Sequence, residues 1–409
     1  MLKISFFIIL YVFLSSISYS LQALRLLGIA DNRIFFYIGL LYFLILAPLF
    51  LYLNKRKLSS DSVSMLMLWL FVIASFTGVL FGMDIYQYIW QIILLLYCFL
   101  GLLIGKELHL SNAYKIFKWV ALVILLSGFI GIFSSVIIKF LHLSQHGLYH
   151  SFGGPLLLFP LVWYFEVNKK KLFLLTLVLI VLAGKVGVIL AAFSFILFRL
   201  SYDKFIKVVL FFGGVFIIVG FLTPDLSNSV IGKVNSYNIF KDIQSDFILE
   251  NYGGGGRVKE ILAVSNELKK SPIFSMILGH GFGHKYYVTE YDSSENKVIY
   301  NAHFTPITML SKFGIIGLWF YCYLIYLSIR GMKSLSVIVR TASWFLFCSM
   351  IFSLTAYNIF TNAFLWICVG LIISNNFKRG KFSEKYITYR IRENGNNLAP
   401  KASIPRTIE

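Results

Sequence analysis

Long blocks of Leu, Ile, Phe and Val alternate with short polar or basic segments along almost the whole chain. The blocks are continuous, so they do not read as barrel strands, in which polarity would switch residue by residue. Lipid offers no partner to free backbone N–H and C=O groups. The helix is therefore the expected way for each block to cross ~30 Å of hydrocarbon. The pattern places spans near residues 4–19, 34–53, 65–81, 88–104, 116–137 and 155–166, and again near 208–222, 314–329, 343–356 and 364–374. Residues 172–198 are too long for one comfortable crossing and are interrupted by Gly184-Lys185. A long polar stretch runs from Thr223 to about His303.

Composition agrees with this pattern. Of 409 residues, 58% are hydrophobic and 13% charged, against roughly 25% charged in soluble domains. The net charge of +19 does not mark a nucleic-acid binder, because the basic residues gather in short segments between apolar blocks. Cytoplasmic loops carry that bias. Lys169, Lys170 and Lys171 precede the 172–198 block, and Arg199, Lys204 and Lys207 follow it. Both ends are then cytoplasmic, the number of crossings is even, and the block folds as a hairpin with Lys185 at its outer tip. A lysine left at mid-bilayer would cost roughly 2.5–3.5 kcal/mol. The first block begins right after Lys3 without a small-residue cleavage site and reads as a retained span. Alternation then gives about twelve spans with both termini in the cytoplasm.

The expected fold is all-α, a polytopic membrane helical bundle of about twelve transmembrane helices with one large external loop containing amphipathic helices. Its divisions are residues 1–222 for the N-terminal spans, 223–303 for the external loop, 304–375 for the C-terminal spans and 376–409 for a basic cytoplasmic tail. The four cysteines lie inside apolar blocks without metal-ligand spacing, so neither a disulfide framework nor zinc is expected.

Candidate chemistry gathers in the external stretch. After Gly253-Gly254-Gly255-Gly256, the residues Ile261, Leu262, Val264 and Leu268 recur at helical spacing. Arg257 stands at the head of this helix, where free N–H groups and a forked cation favour an anion. Leu278-Gly279-His280-Gly281-Phe282-Gly283-His284 is a glycine-rich turn, but it follows no βαβ strand, so a dinucleotide loop is rejected. His280 and His284 cannot be assumed to share a helix face, and His142, His146 and His150 read as an interfacial stripe rather than a metal site. Glu290 and Asp292 lie in a polar loop, Glu290 to Lys297, that reads as solvated. His303 sits where the chain re-enters the membrane and has the chemistry of a general base near neutral pH, with a simple interfacial hydrogen bond as the plainer reading.

These residues, in this order, resemble the O-antigen ligase/polymerase superfamily of bacterial envelope enzymes. The resemblance runs from Leu182-Ala183-Gly184-Lys185 through Gly256-Arg257, Ser271-Pro272 and the glycine-rich turn. It continues to Asn301-Ala302-His303 and Lys312-Phe313-Gly314-Ile315-Ile316-Gly317-Leu318. It implies a GT-C-like fold in the bacterial inner membrane and an active site facing the periplasm. It also implies metal-independent, inverting transfer of a glycan from undecaprenyl diphosphate, with no cofactor. Arg257 matches the family's diphosphate-binding arginine, Lys185 stands where a second arginine is usual, and His303 matches the proposed base. Phe304 replaces a common Asn, and Asn301 is a candidate for orienting the imidazole instead. The expected reading is a polymerase acting on a lipid-linked repeat unit, with a chain-length regulator and a flippase as companions. A ligase to lipid A–core is the alternative, with a transporter or flippase behind both.

Overall fold

The computed structural model describes residues 4–20, 33–53, 62–140, 154–183, 186–199, 255–289, 296–302, 304–355 and 359–376. The described residues are mostly helical. In chain order the first elements are α1 (Ile4–Ser20), α2 (Arg33–Leu53), α3 (Ser62–Leu80), α4 (Ile85–Glu107) and α5 (Leu110–Phe140). A 3-10 turn (Gly154–Leu157) leads into α6 (Leu158–Glu166), followed by α7 (Lys170–Leu182) and α8 (Val186–Arg199). Then come α9 (Gly255–Lys270), α10 (Ile273–Leu278) and a hairpin of β1 (Tyr286–Thr289) and β2 (Asn296–Ile299). The described chain closes with α11 (Thr305–Met332), α12 (Val337–Ser353), a 3-10 turn (Ile359–Thr361) and α13 (Ala363–Asn376).

Four described helices contain stretches long and apolar enough to cross a membrane: Val63–Leu80, Ile85–Glu107, Leu110–Ser134 and Thr305–Met332. Their outward faces are apolar too. On α3 the residues Met65, Leu68, Trp69, Val72, Phe76 and Val79 form an exposed stripe at helical spacing, while Val63, Met67, Leu70, Ala74 and Thr77 turn inward. A face of that kind suits hydrocarbon, not water.

The centre of the bundle is α13, buried on all sides from Ala363 to Ile373, as a helix apolar all round must be. It runs parallel to α4. Gly101 lies against Ala363 and Trp366, Gly105 against Ile367, and Gly370 against Leu102. The Cys98 thiol donates to the Phe360 carbonyl at 3.1 Å. Trp163, Phe159, Phe345, Phe364 and Phe117 fill the space beside this pair with edge-to-face contacts. Tyr11 of α1 hydrogen-bonds Tyr97 of α4 inside the apolar core, which ties α1 to the centre. All four cysteines are free thiols, and only Cys322 is exposed.

One end of the bundle is held by charge. Glu166, its side chain only 1% exposed, receives Arg199 at 2.7 Å and Arg340 at 2.6 Å. The C-terminus of α6, the C-terminus of α8 and the first turn of α12 therefore meet at one level. Because α7 starts four residues after Glu166, α7 and α8 begin and end at this same end.

Several expectations meet a different structure or fall outside it. The span expected at 314–329 is the inner part of a helix that starts earlier, at Thr305. Lys297, taken as part of a solvated loop, belongs to β2, which pairs antiparallel with β1 through Tyr286↔Ile299 and Thr289↔Asn296. The chain is thus not purely α. The block at 208–222, the tip Gly184-Lys185, the His142–His146–His150 stripe and the Glu290–Asp292 pair lie outside the described residues.

Candidate functional site at the helix break

A small cap sits on the end of the bundle opposite Glu166. Val264 and Leu268, one helical turn apart on α9, close on Tyr286, Ile299 and Ala302, with Ile307 and Leu310 of α11 packed against them. A fully buried aliphatic side chain contributes about 1.5–3 kcal/mol. Five buried residues are too few to fold the cap alone. It depends on docking to the bundle.

The glycine-rich turn provides that docking. Helix α11 is broken at Gly314, whose φ of 63° and ψ of −154° interrupt the helical path. The carbonyls just before the break are taken by the turn. His280 N–H donates to Ser311 O at 2.7 Å and Gly281 N–H to Lys312 O at 3.2 Å. Phe282 N–H then donates to Ala74 O of α3 at 3.0 Å, and Gly283 N–H to the Gln91 side chain of α4 at 3.0 Å. Gly279 N–H closes α10 on Ser275 O at 2.8 Å. Five consecutive backbone donors are thus satisfied by protein. Gly78 allows the approach, since a methyl there would lie 2.9 Å from Phe282 N. The turn is glycine-rich because alternate residues, Gly279, Gly281 and Gly283, all have positive φ.

Behind the turn lies a compact set of polar side chains. The His280 and His284 rings stack at 4.4 Å between centroids. The His280 ring, 1% exposed, has the Tyr286 hydroxyl 3.1 Å from Nδ1 and the Ser271 hydroxyl 2.8 Å from Nε2. Ser271 also donates to Glu267 O at 2.8 Å. The Tyr286 hydroxyl also donates to Ser311 O at 3.3 Å, so the two hydroxyls and the imidazole form one hydrogen-bonded chain that ends on the Ser311 and Glu267 carbonyls. His280 is held neutral. Burial above all, then the neighbouring His284 and Lys312 charges, lowers its pKa to about 4. His284 is lowered for the same first reason, burial, and next by Lys312. Its Nδ1 lies 3.3 Å from the Phe81 carbonyl and so carries the proton, leaving Nε2 as a buried lone pair with no hydrogen-bond partner among the described residues. Burial likewise raises Tyr286.

Lys312, two residues before the break, is 2% exposed. Its Nζ lies 5.6 Å above the centroid of the Tyr286 ring and has no hydrogen-bond partner among the described residues. At the rim, Asp84 caps α4 through Gln87 N–H at 3.1 Å and receives Tyr300 at 3.2 Å and Lys285 at 3.4 Å. The Gln87 contact first, and the two side chains with it, hold the Asp84 carboxyl below its usual range.

The residues expected from sequence are distributed unevenly about this set. Position 257 is in the first turn of α9, with its side chain outside the described set, and Asn301 is half-buried between Ile299 and Ala302. His303 and Lys185 lie outside the described residues. The helix carrying position 257 and the turn flanking position 303 share one apolar cluster, through Val264, Leu268 and Ala302. Sequence reasoning gave no role to Lys312 or Tyr286. A lysine inside Leu310-Ser311-Lys312-Phe313-Gly314 was the available signal, since a charge embedded in an apolar stretch marks function by default. It also left His280 and His284 apart, whereas the turn stacks them. Among the described residues, no group of three or more His, Cys, Asp or Glu is placed to hold a metal.

A scan against models of protein families finds no match to this chain, and a search of curated proteins finds none.

Proposed function

We propose that this chain is a membrane glycosyltransferase of the O-antigen polymerase type. In this reading it is a bundle of about twelve spans with a GT-C-like arrangement in a bacterial inner membrane. It transfers glycan from undecaprenyl diphosphate to a lipid-linked repeat unit. His303 removes the proton from the acceptor hydroxyl, whose oxygen attacks the anomeric carbon from the face opposite the diphosphate. The carbon–oxygen bond to the diphosphate breaks, and the sugar centre inverts. Arg257 and Lys185 hold the charge that develops on the leaving group, as oriented cations do in a water-poor site.

The observation that carries the reading is the shared core of the cap. It joins the helix that bears position 257 to the turn next to position 303. The distribution of charge supports the sidedness. Arg199 and Arg340 meet Glu166 at one end of the bundle. The cap lies at the other end, which the positive-inside rule assigns to the periplasm. The unpartnered amine of Lys312 lies close to the cap core, over the Tyr286 ring.

The test is surface polysaccharide run on a gel. Loss of the gene leaves a single repeat unit on the core if the chain is a polymerase. Bare core with glycan accumulating on undecaprenyl diphosphate would make it a ligase, and absence of external lipid-linked glycan would make it a flippase. Arg257→Ala and His303→Ala should each abolish chain extension while the protein stays in the membrane. Wild-type chain lengths in both variants would sink the assignment.

A further inference from the structure

Helix α10 is built the wrong way round for a water-facing element. Of its six residues only Ser275 is buried, while Ile273, Phe274, Met276 and Ile277 are exposed, Ile273 at 77%. Its position accounts for this. The turn that follows α10 bonds to Ala74 of α3, about 9 Å along the helix axis from Leu80. The apolar stretch Val63–Leu80 of α3 is barely long enough to cross ~30 Å of hydrocarbon, so Leu80 must lie close to the bilayer surface. The Ile277 carbonyl, at the far end of α10, abuts Gly314, well inside α11. The chain returns to the rim at Gly283, whose carbonyl accepts Asp84 N–H at 3.0 Å beside Lys285 and Tyr300.

We propose that Ile273–Gly283 is a re-entrant segment set into one leaflet of the bilayer, and that the acyl chains of bilayer lipids cover its exposed face. Irregular backbone survives at that depth only where protein satisfies it, and the donors of residues 279–283 all have protein acceptors. The exposed side chains of α10 continue the apolar outward faces of the two helices it touches. These are Phe76, Val79 and Leu80 on α3 and Ile315 and Trp319 on α11. Lys269 and Lys270, at the end of α9, mark the level at which the segment enters, as lysines at an interface do. The inference rests on the membrane-spanning character of the bundle and not on glycosyl transfer, so the two can fail separately.

Spin labels decide it on the full chain in lipid nanodiscs. With exposed Cys322 replaced by Ser, single cysteines are placed at Met276 on α10, at Trp319 on α11 as the lipid reference and at Tyr287 on β1 as the water reference. The Met276 label should collide with oxygen severalfold more than with a water-soluble nickel chelate, like the Trp319 label, with the preference reversed at Tyr287. A Met276 label that favours the nickel chelate overturns the proposal. So does one shielded from both reagents, which would place protein on this face. Reaction of Ile273→Cys with a water-soluble maleimide gives a second reading. Slow labelling relative to Tyr287→Cys is expected, and equal rates would overturn the proposal.

Discussion

Replacing Gly314 with Ala tests whether the break in α11 is the point on which the site depends. The backbone at φ 63° and ψ −154° lies where glycine alone is at ease, and holding alanine there costs about 1–3 kcal/mol. The new Cβ would also run into the Ile277 carbonyl and the Leu278 amide. These are backbone atoms, so relief requires α10 to move, carrying the turn behind it. The bonds from His280 N–H to Ser311 O and from Gly281 N–H to Lys312 O are then at risk. A buried donor or acceptor left unmade costs about 1–3 kcal/mol. With one such loss the total is about 2–6 kcal/mol, a large share of the roughly 5–15 kcal/mol that typically separates folded from unfolded states. Gly82 provides the control, because it too has positive φ, 73°, but nothing lies near its would-be Cβ. Gly82→Ala therefore measures the cost of a positive φ without the collision. Thermal melting of both variants in detergent, followed by the folded fraction on a sizing column, should show Gly314→Ala falling well below Gly82→Ala. Equal melting temperatures would refute the reasoning, because α10 would then not be wedged at the break.

Other perturbations separate the remaining claims. His280 binds its proton with a pKa of about 4 in the fold against about 6.5 unfolded. The unfolded chain therefore gains protons first, and stability drops as pH falls from 6.5 towards 4, by up to about 3 kcal/mol, and levels off below. His280→Gln should flatten the melting temperature against pH over that range, though not wholly, since His284 is shifted the same way; an unchanged slope would count against it. Glu166→Gln leaves Arg199 and Arg340 facing each other without their shared carboxylate. As both arginines are partly exposed, a loss of about 3 kcal/mol is expected, at the low end for breaking a buried pair, and wild-type melting would contradict it. Lys312→Met swaps an unpartnered buried amine for an apolar side chain of similar length. It should melt at or above wild type, since a buried unpaired polar group costs stability, yet lose chain extension. A lower melting temperature would mean that the amine has a structural partner.

The helical bundle and the membrane class were legible in the sequence because apolar content is local and additive. Each block reports its own preference for hydrocarbon, and continuous apolarity without alternation leaves only the helix. Helix α9 was legible for a similar reason, its Val264 and Leu268 being spaced for one face. The short hairpin was not, because two four-residue strands carry little pattern of their own and exist through pairing and through Tyr286 and Ile299 reaching α9. The partners of the glycine-rich turn were hidden for a stronger reason. Gly283 meets Gln91 across 192 residues, and Arg340 meets Glu166 across 174, separations over which periodicity says nothing.

What the sequence determined by itself is a chain of apolar helices with a polar stretch rich in imidazole, glycine and cationic residues. Only tertiary structure decided that α11 breaks at Gly314, that the glycine-rich turn fills the break, and that Lys312, His280 and His284 gather around Tyr286. The physical reason is hydrogen bonding. A helix interrupted inside an apolar bundle exposes carbonyls that lipid cannot satisfy, so the break and the turn exist only together.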